Sequence, residues 1–439
     1  MRGQLEDLEI AGASRLARAD LEPRPSSRMY DTELAYVGLW IFMLAYYLRP
    51  EDWTSAARFL PLAIIGGGLA LFGLARAYIK SGKLTRTTEV PLLLAFLIWF
   101  VILVPFSSWP GGSFEILESR IWKISLLSIV FINVIDSLKR LRWLLTIQAV
   151  GVTLIALSSF GHIDQSSGRL TGKSQAFGNS NDLASMIAIT LPICAYMIIS
   201  SSAVKKVIWS VASILMVFIL VTTFSRTGFL ALAAAIASLS WHFLVKQRKY
   251  GMLTITILAT MAAGIALPTQ YRARVASIFI PSLDKDESRL DATGSRESRV
   301  NLLRRSVETT IAHPFMGVGP GQFQVVSGDW HGSHNTFLQL ATETGIPGLV
   351  IFLLLLHVAF KNLRTAEQQV QIGFSSDGWA LAGVLRASLI TFVVAAFFSD
   401  FGYQFFTYFL FAYTASLNQI VSTAERVDEI DFNLETEPR

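Results

Sequence analysis

Long apolar runs restrict what this chain can fold into more than any other feature of it. A membrane-spanning segment needs roughly 20 apolar residues, with about 17–25 the usual range. About twelve stretches meet that measure, near 33–49, 57–79, 89–106, 120–136, 141–160, 181–200, 207–224, 226–245, 251–268, 347–361, 380–398 and 403–421. The first, fourth and tenth are short or polar-edged. Charged residues make up only 16% of the 439-residue chain, against roughly 25% in soluble domains, and mean hydropathy is +0.48. The sequence reads as a polytopic membrane protein.

Basic residues give the orientation. Lys80, Lys83 and Arg86 follow the second stretch, Lys139, Arg140 and Arg142 the fourth, and Lys205 and Lys206 the sixth. Lys246, Arg248 and Lys249 follow the eighth, and Lys361 and Arg364 the tenth. Clusters on alternate connections share one side, which the positive-inside rule makes cytoplasmic. Both ends of the sequence are then expected in the cytoplasm, with 1–30 and 422–439 as tails around transmembrane blocks 31–268 and 347–421. Residues 1–30 are polar, mixed in charge and contain Pro23 and Pro25, unlike a signal peptide. The pI near 9.3 comes mostly from these flanking cations, which reads as topology rather than as a nucleic-acid surface. Cys194, the single cysteine, lies inside an apolar stretch, so no intrachain disulfide can form.

The longest connection on the opposite face runs from about 269 to 346. It carries eight Lys/Arg and eight Asp/Glu, which fits a folded domain because long loops are largely exempt from the charge rule. Within it, GSRESRVNLLRRSVETTIAHP reads as a helix, with Ser295 as N-cap and Pro314 at the far boundary. Val300, Leu303, Val307 and Ile311 form one apolar stripe, expected to be its buried face. Arg296 and Arg299 lie at or beside the start of that stripe, and Arg305 points away from it. Guanidinium groups beside a buried face suit a phosphate through their planar fork of donors, or else pair with the helix's own Glu297 or Glu308.

Arg226 sits in SRTG, a tight turn between two apolar stretches. It reads either as a cation snorkelling to the interface or as a functional arginine at the membrane edge, and function is favoured. Glycines in GVGPGQF (317–323) can present backbone N–H groups to phosphate or simply make a turn; neither a Walker Lys-Ser/Thr nor a dinucleotide fingerprint accompanies them. His331, His334 and Asp329 lack a further ligand set, so no metal is expected. His334 opens the next apolar stretch, where a neutral imidazole can accept a proton from a hydroxyl. Asn335 and Glu343 can orient it or bind substrate. Arg169, Lys173, Asn179, Asn181 and Asp182 gather before the sixth stretch, where they line a pocket or cap that helix.

Taken in order, FGNSNDLA, SRTG, Arg299 ahead of HPFMGVGPGQF, and HNTFLQLATETGIPG resemble the O-antigen ligase and polymerase superfamily of bacterial membrane glycosyltransferases. The resemblance covers about residues 140–420 and departs after Arg299, where VNLL replaces a pattern with an aromatic Trp. It implies an all-α, GT-C-like membrane fold of about twelve helices with a partly helical periplasmic loop. It also implies transfer of a glycan from undecaprenyl diphosphate to an acceptor hydroxyl at the periplasmic face of the inner membrane. The transfer would be inverting, metal-independent and free of any cofactor. Arg226 and Arg299 would bind the diphosphate and His334 would activate the acceptor. Arg296, Arg169, Lys173, Asn335 and Glu343 are the further candidates for substrate contact. A ligase serving lipid A–core or a similar acceptor leads, with an O-antigen or exopolysaccharide polymerase as the alternative. A lipid-linked glycan transporter fits less well, because the polar residues gather in one outer loop rather than at the midplane.

Overall fold

A computed structural model describes residues 32–50, 61–85, 87–164, 169–173, 178–266, 269, 272, 292–329, 332–373 and 376–436. The expected tail at 1–30, the start of the long connection and His331 lie outside the described residues. In order, the helices are α1 (Glu33–Leu48), α2 (Leu62–Ser81), α3 (Glu89–Leu103), α4 (Pro110–Ile116), α5 (Trp122–Val134), α6 (Leu138–Ser158), α7 (Ser180–Ser200) and α8 (Ala203–Thr222). They continue with α9 (Arg226–Ser240), α10 (Tyr250–Ala266), α11 (Ala292–Ala312), α12 (Phe323–Ser327), α13 (Thr336–Gly373), α14 (Ser376–Ala396) and α15 (Phe405–Thr436). Among the described residues there is no strand, only an isolated bridge between Ile163 and Leu170.

Every expected apolar stretch falls largely within one of these helices, so the all-α membrane architecture holds. The count of about twelve spans is not confirmed: 8 described helices are long and apolar enough to cross a membrane. The shortfall has a plain cause. α1 and α10 fall short of 18 residues, α5 has only 13, and Thr, Ser, Asn and Gln dilute α15. α15 also runs on to Thr436, into what the sequence read as a tail from 422. α7 and α14 form the centre of the bundle, each with 72% of its span buried. Around them pack rings from α15 and α5, with Phe131 edge-on to Tyr413.

One end of the bundle is tied by charge. Glu367 of α13 takes Arg386 of α14 at 2.5 Å and His242 at 3.4 Å, with Lys246 as a third partner. Arg140 joins Glu33 at 2.5 Å and Asp136 at 3.4 Å. Several of these cations belong to the basic clusters that mark one face in the sequence. The connections carrying the candidate residues gather at the other end.

α13 is two helices joined at a break, and its sequence dictates the break. Pro347 has no N–H to offer the Glu343 carbonyl, and Gly345 adopts φ 69°, ψ 176°. The carbonyls freed by such a kink need other donors. The glycine-rich loop supplies them: Val318 N–H donates to Thr342 O at 2.9 Å and Gly319 N–H to Glu343 O at 3.0 Å. Trp99 Nε1 donates to Thr344 O at 2.9 Å, and Ile346 N–H turns aside to Pro314 O at 2.7 Å. Gly317, at φ 63°, lies so close that an added Cβ would stand 2.6 Å from Thr342 O.

α11 forms where the sequence placed a helix, but the expected buried face is reversed. Leu302 and Ser306 are buried, whereas Val300, Leu303, Val307 and Ile311 are exposed. The packed side of α11 is the one carrying Arg299, half-buried against the bundle. Periodicity located the stripe correctly; the assumption that an apolar stripe faces a protein core did not apply.

Candidate active site

Two groups of side chains meet at the first turn of α7. The first surrounds the SRTG turn. Ser225 is the N-cap of α9, its hydroxyl accepting from Gly228 N–H at 3.0 Å and donating to Asn181 Oδ1 at 2.7 Å. Asn181 Oδ1 also accepts from Arg169 Nη2 at 3.0 Å, while Arg169 Nε donates to the Thr223 carbonyl at 2.9 Å. The FGNSND segment and the SRTG turn, read separately in the sequence, are thus one hydrogen-bonded unit. Phe224, at φ 51°, makes the sharp reversal that this unit holds.

That unit presents Arg226 as the first residue of α9. A cation there opposes the positive end of the helix dipole, an unfavourable placement by about 0.3–1 kcal/mol. Arg299 of α11 faces the same place: burial first, and then the charge of Arg226, lower its guanidinium pKa from the usual value. Two arginines within electrostatic reach of one another at a helix N-terminus form a focus of positive potential that an anion relieves. The planar donor forks of the two guanidinium groups match a phosphate-type oxyanion.

The second group holds His334. Its backbone lies in the left-handed region at φ 50°, a conformation that non-glycine residues seldom take outside constrained sites. Asp400, in the short connection between α14 and α15, fixes it. The Asp400 carboxyl accepts from His334 N–H at 3.1 Å, Asn335 N–H at 3.1 Å and the Ser333 hydroxyl at 2.8 Å. A side chain at Gly332 would stand 2.2 Å from the same carboxyl. Asn335 then caps α13, its Oδ1 accepting from Phe337 and Leu338 N–H at 3.0 Å and its amide donating to Phe397 O at 3.2 Å. Thr336 and Gln339 continue the seam, bonding Ser399 O at 2.6 Å and Gly402 N–H at 3.1 Å.

Asp182, the next residue after Asn181, feels the charge of Asp400 and neighbours Ser399. The first turn of α7 therefore touches the arginine turn on one side and the His334 clamp on the other.

The remaining candidates divide by location. Glu343 is buried; its carboxyl accepts from Gly321 N–H at 2.7 Å and the Tyr403 hydroxyl at 2.5 Å. The Tyr403 hydroxyl is the donor of that pair. Glu343 thus ties the glycine loop to the Asp400 connection, a positioning place like that of Asn335 and Arg169. With Val318, Gly319 and Gly321 N–H all donated to α13, the glycine loop is a brace and not a phosphate cradle. Lys173 is exposed, its N–H donating to the Ser159 hydroxyl at 3.3 Å. The Arg296 side chain lies outside the described residues. Asp400, Tyr403 and Ser225 were not singled out in the sequence; for Asp400 the signal was an acid in the four-residue gap 399–402 between two apolar stretches.

Residues 211–353 match a family model described as O-antigen ligase. The matched third of the chain runs from within α8 into α13 and holds Arg226, Arg299, the glycine loop and His334. No curated protein matches the chain. The match supports the O-antigen ligase and polymerase superfamily, to which the motifs also point. Together with the apolar helices, the match supports a multi-pass membrane protein of the O-antigen ligase or polymerase type.

Proposed function

We propose that this superfamily member works as an O-antigen ligase-like glycosyltransferase. It moves a glycan from undecaprenyl diphosphate to an acceptor hydroxyl of lipid A–core or a similar lipid, at the periplasmic face of the inner membrane. The observation that carries the reading is the Asp400 clamp on His334, at the same end of the bundle as the hydrogen-bonded turn that presents Arg226.

A diphosphate is already a good leaving group, so the enzyme's main tasks are to neutralise the charge it develops and to strengthen the nucleophile. In the proposed step the acceptor hydroxyl gives its proton to the His334 imidazole. The freed oxygen pair attacks the anomeric carbon from the face opposite the diphosphate. The bond from that carbon to the phosphate oxygen breaks, and its electrons leave on the diphosphate between Arg226 and Arg299. A single displacement inverts the anomeric centre. The two guanidinium groups take the place of a divalent cation, so the reaction is read as metal-independent. Basic side chains at the far end, Arg140 and Lys246 among them, support placing that end and the chain ends in the cytoplasm. The donor half would serve a polymerase equally; the acceptor separates the two.

The test is transfer by the purified protein in detergent, from a lipid-diphosphate glycan to lipid A–core, in EDTA and without ATP or a gradient. Turnover should survive EDTA and fall in Arg226→Ala and in His334→Asn, since asparagine tolerates the left-handed backbone while removing the base. Unimpaired transfer by both variants overturns the site; movement of donor across vesicles with no transfer overturns the reaction.

A further inference from the structure

The exposed stripe on α11 lies in the long connection rather than in a span. Val300, Leu303, Val307 and Ile311 are 56%, 36%, 44% and 73% exposed, while Leu302 and Ser306 on the adjoining face are 2% and 0% exposed. The helix is therefore packed against the bundle by one face and presents a separate apolar one outward.

That outward face has a continuation. Its C-terminal end meets α13 at the break, where Ile346 N–H donates to Pro314 O at 2.7 Å and Gly345 abuts the Phe315 carbonyl. Phe315, Ile346, Val350, Leu353 and Leu354 are all exposed, and the last four lie on a helix apolar enough to cross a membrane. The stripe thus runs from α11 into the flank that α13 turns to lipid. The edges of the stripe differ. At about 100° per residue, Arg304 borders it on the side away from the packed face, and Asn301, Glu308 and Arg305 follow round to the polar side. Arg304 is 68% exposed and joined to Glu308 at 3.7 Å, an exposed pair that costs little to exchange.

We propose that α11 lies in the membrane interface, with Val300, Leu303, Val307 and Ile311 among the lipids of the leaflet on the site side and Arg304 at the level of their phosphates. A helix with one protein-facing side, one lipid-facing side and one charged side suits that place, where amphipathic helices sink about 5–10 Å into the boundary of headgroups and chains. The proposal does not depend on the transfer chemistry. It also gives Arg299 a setting, since that residue lies about 40° from Leu303 on the wheel, between the lipid-facing and packed sides.

The test labels single cysteines with an environment-sensitive fluorophore at Val307→Cys, Ile311→Cys and, as control, Asn301→Cys, in full-length protein carrying Cys194→Ala. The three labelled positions are exposed, so labelling leaves the packed face intact. The protein is placed in nanodiscs of phosphatidylethanolamine and phosphatidylglycerol. Probes at 307 and 311 should emit to the blue, lose intensity to lipids brominated high on the chain, and resist aqueous iodide; the probe at 301 should do the reverse. Iodide quenching at all three positions overturns the proposal in favour of a solvent-facing stripe. Shielding of 307 and 311 from both quenchers overturns it in favour of a protein partner or a second copy. Loss of transfer with the expected quenching would count against the proposed function alone.

Discussion

Removing the Asp400 carboxyl should unfasten His334 without unfolding the bundle. Asp400→Ala leaves three donors without their acceptor: His334 N–H, Asn335 N–H and the Ser333 hydroxyl. Bonds to a charged acceptor are worth about 1.5–3 kcal/mol each, but Asp400 is half-buried and water can take up part of the loss, so roughly 1 kcal/mol per bond is the better figure. The left-handed backbone of His334, disfavoured by about 1–2 kcal/mol, is the strain these bonds offset. The competent loop loses about 3 kcal/mol, which at 1.4 kcal/mol per tenfold is a fall of roughly two orders of magnitude in kcat/KM. Asp400→Asn is graded. Its oxygen can stay with Ser333 and Asn335, while its amide faces His334 N–H, so about one bond is lost and the fall is about tenfold. The assay is transfer in detergent, read beside hydrogen exchange at residues 333–335. Wild-type turnover and unchanged exchange in both variants would refute the clamp. So would a thermal midpoint so lowered in Asp400→Ala that the folded fraction alone explains the loss.

Two further outcomes follow from the hydrogen-bonded turn and the helix break. Asn181→Ala removes the acceptor shared by Arg169 and Ser225 and should cost about 2 kcal/mol, lowering both thermal midpoint and turnover, whereas Asn181→Asp should retain most of both; equal behaviour of the pair contradicts the shared-acceptor role. Gly317→Ala meets both a positive φ and the α13 carbonyls, while Gly328→Ala meets a similar φ, 66°, with open space around it. The midpoint should fall further for the first than for the second, by about the 1–3 kcal/mol expected of an overpacked site.

Hydropathy carried most of the architecture. Span positions follow from the cost of exposing polar backbone to lipid, and every expected stretch landed in a helix. The site was readable as polar islands: SRTG, FGNSND, Arg299 and HNTF each stood out against apolar surroundings. How those islands pair was not readable, because Asn181 and Ser225 are 44 residues apart and nothing in either segment names the other. Asp400 escaped for the same reason, as its partners lie 65 to 67 residues earlier in a different connection. The stripe on α11 was located correctly and oriented wrongly, because beside a membrane an apolar face need not point into protein. Asn335, Arg169 and Glu343 illustrate a last limit. A polar residue near a candidate site looks like a ligand in sequence, and only the folded chain shows that these three also bond neighbouring backbone.

The 66 residues between His334 and the carboxyl that fixes its backbone also set an order of events during synthesis. A chain grows from its N-terminus at about 5–20 residues per second, so the histidine loop emerges roughly 3–13 s before Asp400 does. Through that interval the last helix is missing and the loop has no clamp. A chain stalled or cleaved before residue 400 would carry the arginine turn and the histidine, but not the carboxyl that fixes the histidine's backbone. Completion of the chain is in this sense the first control on its activity.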